Sequence, residues 1–252
     1  MKPYIPEPLI SIITICYNAE NTVGATVSSV LNQSSDEIEY LIIDGLSKDN
    51  TCRIIKEKLD AYNGGKKVFF ISEKDNGISS AFNKGIEHAT GKFLMFLNAD
   101  DKLVGNDVIE SVAPLLLDAD CIYSGGIITT KGKTIYSIID SSQNKFEIMH
   151  PASFTGKKVF EKIGKFNEKF KIAMDYDFFL RAKRLGVEFY ILNIITTKFS
   201  VDGISNKALV RMLKENYMAL AEDRTFSTWA TLKYIFQNIV FYIGHTLRTL
   251  IK

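Results

Sequence analysis

The stretch KFLMFLNADD, residues 92–101, predicts a buried β-strand that ends in two adjacent carboxylates, Asp100 and Asp101. Its apolar run is short and bounded by polar residues, which is typical of a strand covered on both faces. Two neighbouring anions repel each other, and binding of a divalent cation or of ribose hydroxyls relieves that repulsion. The alternative interpretation of the pair by itself is an ordinary polar turn, in which Asp100 caps the backbone and Asp101 is solvated.

Strand and helix patterns alternate along the chain that precedes this stretch. Short β-branched or aromatic runs predict strands, and apolar residues at helical spacing predict the helices between them. The predicted strands are LISIITIC (9–16), EYLIID (39–44), KVFFISE (67–73) and KFLMFLN (92–98), and the predicted helices are ENTVGATVSSVLNQ (20–33), SKDNTCRIIKEKLDAY (47–62) and GISSAFNKGIEHATG (77–91), the last closed by Gly91. This alternation predicts an α/β fold with parallel strands joined by right-handed crossovers.

Acidic and aromatic residues stand where these four strands end. Tyr17 follows the first strand, Asp44 ends the second, Asp75 follows the third, and Asp100 and Asp101 follow the fourth. In open α/β sheets the ligand binds in the crevice beyond the carboxyl ends of the strands. Their shared position favours a cation or nucleotide site over the polar-turn interpretation of the Asp pair.

Beyond residue 105 the alternation becomes less regular. The patterns predict a helix over NDVIESVAPLLLDAD (106–120), a hairpin over CIYSGGIITTKGKTIYSI (121–138) that turns at Lys131-Gly132-Lys133, and a helix over DYDFFLRAKRLG (175–186) that ends at Gly186.

The composition limits the classes of partner and compartment. The chain has 252 residues and a net charge of +2, so its total charge gives no reason to expect a nucleic-acid partner. Cys16, Cys52 and Cys121 form no CxxC pair, which favours free thiols in a reducing compartment. The first ten residues, MKPYIPEPLI, carry prolines where a signal peptide needs an unbroken apolar run. We therefore predict a cytoplasmic location.

Four ordered segments together resemble the family 2 inverting glycosyltransferases of the GT-A fold, and most closely those that build bacterial surface polysaccharides. The segments are SIITICYNAENTVGATVSSVLNQ (11–33), EYLIIDGLSKDNT (39–51), EKDNGISSAFNKGIEHATGKFLMFLNADD (73–101) and AMDYDFFLRAKRLG (173–186). The resemblance covers about residues 8–205 and implies a Rossmann-like, mainly parallel sheet flanked by helices. It also implies a catalytic domain over residues 1–206.

The resemblance assigns roles in donor binding to the strand-end residues. It places Tyr17 and Asp44 on the nucleobase of a nucleotide-sugar donor, expected to be UDP-linked, and Asp75 on the nucleoside end. The alternatives are a packing role for Tyr17, a helix-capping or turn role for Asp44, and a turn role for Asp75 before Gly77. Asp100 is expected to reach the ribose, and Asp101 to ligate Mn²⁺ or Mg²⁺ between the diphosphate oxygens. Bound cations neutralise the negative charge that builds on such a leaving group. Many family members carry Asp at the position of Asn98, so Asn98 is not assigned as a ligand.

The resemblance also identifies a general base. Family members carry a Glu-Asp pair at the start of a late helix, and this chain has Met174-Asp175 there, so Asp175 is the expected base. Asp177 is the second candidate, and capping of the helix is a further role for Asp175. His150, in EIMHPASF, lies in a segment that the polysaccharide-building relatives share, and is expected to contact the diphosphate, the metal or the acceptor, unless it is structural.

Residues 207–252 predict a C-terminal amphipathic helical tail. From Arg224 to the end there are four basic residues and no acidic one, and apolar residues recur at helical spacing. This pattern predicts peripheral binding to an anionic membrane surface, on the inner face of the cell membrane, where the resemblance places a glycan or polyprenyl-diphosphate-linked acceptor. A helix packed on the catalytic domain, or on a second subunit in a homo-oligomer, is the alternative.

Two other functions fit parts of the sequence. A sugar nucleotidyltransferase shares the α/β sheet and acidic metal ligands, but it usually needs a basic, glycine-rich loop after the first strand. The segment CYNAENTVG (16–24) contains no Lys or Arg. A non-catalytic nucleotide-sugar-binding protein would need neither Asp101 nor Asp175. We therefore predict a metal-dependent, inverting glycosyltransferase.

Overall fold

The computed structural model describes residues 7–140, 145–201 and 209–222. The strands are β1 Ile10–Cys16, β2 Ile38–Asp44, β3 Lys67–Ser72, β4 Phe93–Asn98, β5 Lys102–Leu103, β6 Ile122–Thr129, β7 Thr134–Tyr136, β8 Ile138–Asp140, β9 Lys145–Glu147, β10 Ser153–Gly156 and β11 Phe189–Phe199. The helices are α1 Val23–Leu31, α2 Thr51–Asp60, α3 Ile78–His88, α4 Val108–Val112, α5 Lys157–Ile163, α6 Met174–Arg184 and α7 Leu209–Glu222.

One central sheet organises the described residues, with the strand order β3-β2-β1-β4-β10-β6-β11-β5 and with β7 on β6. The strands β3, β2, β1 and β4 are parallel to one another, and β11 is parallel to β6. β10 lies antiparallel between β4 and β6. The predicted α/β class and the mainly parallel sheet flanked by helices are confirmed.

The first four strands end side by side, as their pairing register requires. Cys16 at the end of β1 lies opposite Asp44 at the end of β2, and Asp44 lies opposite Ser72 at the end of β3. On the other side of β1, Ile15 lies opposite Asn98, the last residue of β4. The polar residues that follow these strands therefore share one edge of the sheet.

Helices cover both faces of the parallel strands. Ile10 and Ile12 of β1 belong to a buried cluster that includes residues of α1, α2 and α4, whereas Ile13 and Ile15 belong to a second cluster with residues of α3, α5, α6 and α7. Burial on both faces explains why β1, β2 and β4 read as nearly continuous apolar runs. It also makes them a rigid base for the loops at their ends.

The predicted helix over residues 106–120 forms only in part. Only α4 forms there, and it is followed by a 3₁₀ turn over Ala113–Leu115 that contains Pro114. Proline has no backbone N–H, and its ring clashes with the preceding turn of an α-helix, so the helix cannot continue through it. The apolar residues after Pro114 recur at helical spacing in the sequence, but the backbone there does not form an α-helix.

The predicted role of Gly91 in closing a helix is wrong. α3 ends at His88, and Ala89 is already extended. A Cβ at residue 91 would lie 2.7 Å from both the backbone nitrogen and the Oγ of Ser11, so glycine permits close approach to β1. The predicted turn at Gly132 and the helix end at Gly186 are confirmed, with φ angles of 81° and 70°.

α7 packs on α6, since Ala219 and Leu220 belong to the same buried cluster as Phe178 and Phe179. The predicted amphipathic tail after residue 222 lies outside the described residues, and the boundary at residue 206 stays a prediction. Among residues 7–140, 145–201 and 209–222, no helix has both the length and the apolar character that crossing a bilayer requires.

Candidate functional site

Two groups of side chains lie at the carboxyl ends of the parallel strands. We call Tyr17, Asp44 and Asp75, which follow β1 to β3, the nucleoside cluster, after the role expected for them. We call Asp100, Asp101, His150 and Asp175 the carboxylate cluster. It combines the turn after β4 with residues from two later segments, the 3₁₀ turn His150–Ala152 and helix α6.

Asp44 organises the turn that follows β2. Its carboxylate is buried and accepts hydrogen bonds from the backbone N–H of Ser47 at 2.9 Å, from Ser72 Oγ at 2.6 Å and from Cys52 Sγ at 3.1 Å. Burial alone would raise the pKa of Asp44, but the hydrogen bonds from Ser47, Ser72 and Cys52 together hold it below its usual value. Asp44 is thus an ionised residue that shapes the wall of the crevice.

Gly45 brings Asp75 and Tyr17 together. A Cβ at Gly45 would lie 2.5 Å from Oδ2 of Asp75, so a larger residue would push that carboxylate aside, whereas its distance of 3.4 Å from Cδ2 of Tyr17 is an ordinary contact. Asp75 Oδ1 also accepts the backbone N–H of Gly77 at 2.8 Å, which fixes the carboxylate. Tyr17 follows β1 and is 59% exposed, so its ring is accessible at the strand ends, where a planar base can stack on such a ring.

Sequence reasoning missed Leu46, the residue between Gly45 and Ser47. Its φ angle is +64° and its side chain is 52% exposed, an unusual combination for a branched apolar residue. Strained and exposed apolar residues concentrate at ligand-binding loops. The sequence did offer one indication of a role for Leu46, because it lies inside the DGLSKD segment, where the family resemblance places contacts with the nucleobase.

Asp101 is a buried carboxylate with an incomplete set of partners. It is 1% exposed, and its Oδ1 accepts the backbone N–H of Ser200 at 2.8 Å, whereas its Oδ2 has no hydrogen-bond partner within the described part of the chain. Burial, with a smaller contribution from Asp100, raises the pKa of Asp101 to about 8. Thr26 Oγ1 donates to the carbonyls of Ala99 and Asp101 at 2.9 and 2.7 Å, which holds the turn in place.

This orphaned oxygen fits a divalent cation. Among the described residues, no group of three or more His, Cys, Asp or Glu side chains is arranged to hold a metal ion. Mg²⁺ and similar ions need fewer protein ligands when a substrate diphosphate supplies the others, and one or two carboxylates then suffice. Asp101, with Asp100 beside it, meets that requirement, and a bound cation would favour its ionised form.

His150 links the turn after β4 to helix α6. Its Nδ1 lies 3.5 Å from Oδ2 of Asp175, and Phe82 packs edge-on against its ring with 6.2 Å between the ring centres. Burial lowers the pKa of His150, while the negative charges of Asp175 and Asp100 oppose that shift. Its Nε2 is buried without a partner among the described residues. His150 thus lies close enough to both Asp100 and Asp175 for their charges to act on its ring.

Asp175 and Asp177 have different surroundings, although they are only two residues apart. Asp175 is partly exposed in the first turn of α6 and faces His150. Asp177 is 3% exposed and is paired with Arg181, whose Nε lies 2.9 Å from its Oδ2. Of the two carboxylates proposed from the sequence as general base, Asp175 joins the carboxylate cluster and Asp177 stabilises the body of the helix.

The sequence of the chain matches one protein family over most of the elements that form these clusters. Residues 11–184 match the family described as Glycosyl transferase family 2. The chain belongs to this glycosyltransferase family. It is 28% identical over 206 residues to a PGL/p-HBAD biosynthesis glycosyltransferase of Mycobacterium tuberculosis, covering 79% of this chain and 80% of that protein. It is 30% identical over 209 residues to an uncharacterized glycosyltransferase of the same species, covering 79% and 78%.

Solved structures of glycosyltransferases share the fold. S. aureus TarS 1–349 in complex with UDP-GlcNAc matches with a TM-score of 0.66 and 17% identity, over 83% of this chain and 64% of that chain. Mannosyltransferase PcManGT from Pyrobaculum calidifontis in complex with GDP-Man and Mn²⁺ matches with a TM-score of 0.69 and 15% identity, over 88% and 66%. The chain thus spans just under two thirds of these solved chains, and the likeness establishes the GT-A fold alone.

Proposed function

We propose that this glycosyltransferase transfers a sugar, with inversion, from a UDP-linked donor to a glycan or lipid-linked glycan acceptor in the synthesis of a bacterial surface polysaccharide. The observation that carries the proposal is the group at the strand ends in which His150 lies 3.5 Å from Asp175 and feels the charge of Asp100, the residue before Asp101. The UDP and UDP-GlcNAc complexes of TarS, a protein of the same fold, support a uridine donor.

In this proposal the nucleoside cluster holds the donor. Tyr17 stacks on the base, and Asp75 contacts the nucleoside. Asp44 keeps the turn that contains Gly45 and Leu46 in shape. Any lone pair of its carboxylate oxygens that is still free would accept a hydrogen bond from an N–H of the base. Asp100 accepts hydrogen bonds from the ribose hydroxyls. These contacts leave the diphosphate near the turn after β4, beside Asp101.

Asp101 would hold Mn²⁺ or Mg²⁺ through its orphaned Oδ2, with Asp100 adding negative charge close by. When bound, such a cation neutralises charge on the departing nucleoside diphosphate. The complex of PcManGT with GDP-Man and Mn²⁺ supports a divalent ion in this fold. Asp101 must be ionised to act, and because its pKa in the free protein is about 8, binding of a cation there should release a proton near neutral pH.

Asp175 would act as the general base. It accepts the proton of the acceptor hydroxyl while that oxygen forms a bond to the anomeric carbon and the bond from that carbon to the diphosphate oxygen breaks. Attack opposite the leaving group inverts the anomeric centre. His150 orients the carboxylate through Nδ1, and its Nε2 is left to contact the diphosphate or the acceptor.

The two aspartates of α6 give a matched test of this mechanism. Asp175→Asn should keep the fold and the donor affinity but lower turnover by about 10²-fold or more, because it removes the proton acceptor. Asp177→Asn is the control, since it changes a buried pair with Arg181 and no group of the carboxylate cluster. An inactive Asp177→Asn with a near-normal Asp175→Asn would move the role of base to Asp177.

A panel of nucleotide sugars separates this function from its alternatives. The purified protein with Mn²⁺ should slowly hydrolyse one UDP-sugar and release UDP, and an acceptor should accelerate that release. A sugar nucleotidyltransferase would instead form pyrophosphate from a nucleoside triphosphate and a sugar phosphate. A non-catalytic binding protein would bind the same nucleotide sugar without consuming it.

We also propose that the enzyme works in the cytoplasm, on the inner face of the membrane, through its amphipathic tail. The basic residues of the tail would contribute about 1 kcal/mol each near an anionic surface, in addition to apolar insertion. Flotation with anionic liposomes should retain the full chain but not a truncation before Phe226. If neither binds and the truncation changes the oligomeric state, the tail is a subunit contact and the membrane proposal fails.

A further inference from the structure

Glu215, in the middle of α7, contacts the backbone that leads into α6. Its side chain is almost fully buried, and its Oε2 accepts three backbone N–H groups: those of Lys171 at 2.9 Å, Ile172 at 2.8 Å and Ala173 at 3.0 Å. The Oε1 of the same carboxylate accepts Arg211 Nε at 2.9 Å. Both oxygens are therefore engaged, and one of them organises a continuous stretch of backbone.

This stretch has no other cap of its own. Ala173 is the residue before the first turn of α6, and no side chain of that residue caps the helix. Three N–H groups that converge on one ionised oxygen form charge-assisted hydrogen bonds, which are shorter and stronger than neutral ones. Burial opposes ionisation, yet the hydrogen bonds from Ala173, Ile172 and Lys171 hold the pKa of Glu215 below its usual value. The carboxylate is thus charged and fixes the conformation of residues 171–173.

The fixed stretch lies between the two clusters of the site. Asp175 follows Ala173 by two residues, in the first turn of α6, where it faces His150. On the other side, Lys171 Nζ donates to the carbonyl of Asn76 at 2.9 Å, next to the turn in which Asp75 accepts from Gly77. A shift of residues 171–173 would therefore displace Asp175 from His150, and would reach the donor side through Lys171.

We propose that Glu215 is a positioning residue for Asp175, so that α7 contributes one side chain, Glu215, to the placement of the base. This inference rests on the proposed role of Asp175 as general base. Glu215 acts through the backbone of residues 171–173 and touches no substrate itself. Losing it should affect the chemical step, which depends on the placement of the base, more than the binding of the donor. Misplacement of a reacting group by about 1 Å can cost 10²-fold in rate.

The test compares three substitutions of Glu215 in steady-state transfer assays of the full chain. Glu215→Ala should lower kcat by about 10- to 100-fold, with the donor KM and the calorimetric affinity for UDP within about twofold of wild type. Glu215→Gln should recover most of kcat, because its amide oxygen reaches the same N–H groups. Glu215→Asp keeps the charge but is one methylene shorter, so it should lose kcat like Ala, and it serves if Glu215→Ala does not fold.

A matched control separates positioning from general destabilisation. Leu220→Ala removes a buried side chain of the same helix without touching residues 171–173, so it should lower Tm but leave kcat unchanged well below Tm. If the decrease in kcat were proportional to the decrease in Tm in Leu220→Ala and in the Glu215 variants alike, the proposal would be overturned. Wild-type kcat in Glu215→Asp, or equal losses in Glu215→Gln and Glu215→Ala, would also overturn it.

A double substitution distinguishes failure of this inference from failure of the proposed function. In an Asp175→Asn background, Glu215→Ala should cause less than about a twofold further loss, because residues that act as one unit are non-additive. Full additivity would show that Glu215 acts elsewhere and would overturn the inference while Asp175 keeps its role. Wild-type turnover in Asp175→Asn alone would reject the base assignment itself, and with it the basis of the inference.

Discussion

Two buried carboxylates, Glu39 and Asp101, lie near opposite ends of the same parallel strands and differ in how completely they are bonded. Glu39, at the start of β2, accepts hydrogen bonds from Ser11 Oγ at 2.6 Å and from Gly91 N–H at 3.1 Å, and it is also bonded to Thr90 and Lys67. Asp101, after β4, accepts the N–H of Ser200 and leaves Oδ2 without a partner in the described part of the chain.

The two carboxyl groups consequently differ in pKa. Burial acts against ionisation in both, but the hydrogen bonds from Ser11 and Thr90, with Lys67, hold the pKa of Glu39 below its usual value. The pKa of Asp101 rises to about 8. A buried charge that is fully bonded stabilises the fold, whereas a buried acid that lacks a partner is costly and is retained where a ligand completes it. This difference supports a structural role for Glu39 and the proposed binding role of Asp101.

The largest expected effect is on ligand affinity. Asp101→Ala should weaken UDP binding in the presence of Mn²⁺ by about 100-fold, because it removes the protein's ligand to the cation. Titration calorimetry with and without a chelator measures this, and chelation should weaken the wild type to the level of the variant. Equal affinity of wild-type protein with and without Mn²⁺ would show that Asp101 does not hold a metal.

The second effect is on folding stability. Glu39→Ala should lower the free energy of unfolding by about 2 kcal/mol, because it leaves buried donors around Ser11 and Gly91 unsatisfied. Each kcal/mol corresponds to about 2–4 °C in Tm for a domain of this size. UDP affinity, measured on folded protein, should not change. A variant that keeps its Tm but loses UDP affinity would reverse the roles assigned to the two carboxylates.

The low pKa of Glu39 predicts that its contribution to folding stability is lost in acid. The folded-state pKa of Glu39 lies below the ordinary value of 4.5, so its stabilisation is fully present above that pH and disappears as pH falls through the folded pKa. The difference in Tm between wild type and Glu39→Gln should therefore be largest near neutral pH and shrink below about pH 4. A difference that grows in acid would contradict the assignment.

The smallest expected effect concerns Asp101, whose contribution to folding stability changes with pH in the opposite direction to that of Glu39. Because the pKa of Asp101 rises from 3.8 to about 8 on folding, the folded state binds more protons between these values, and the contribution of Asp101 to stability falls as pH rises. In metal-free protein at pH 8, Asp101→Asn should raise Tm, because the amide carries no charge to bury. The gain should vanish near pH 4. A variant less stable than wild type at pH 8 would show that the carboxylate is already satisfied.

The elements up to residue 98 could be predicted from the sequence because their signals are local. Burial on both faces gives β1 and β4 continuous apolar runs, and helix spacing marks α1 to α3 between them. The same signal failed over residues 106–120, where the apolar spacing of a helix continues but Pro114 stops the backbone from following it. Gly91 was wrongly predicted to close a helix. The residue that it contacts, Ser11, lies 80 residues away in the chain, so the local sequence does not show why a glycine is needed.

The sequence by itself determined that acidic residues end the parallel strands, since strand periodicity and strand ends are properties of neighbouring residues. Only the tertiary structure decided which acidic residues, at strand ends or elsewhere, have a complete set of hydrogen-bond partners. Glu39 is completed by Ser11 and Gly91, Asp101 is left one partner short beside Ser200, and Asp175 is held through residues 171–173 by Glu215. Each depends on hydrogen bonds between segments far apart in the chain, whose meeting follows from the packing of the sheet and its helices and leaves no local pattern.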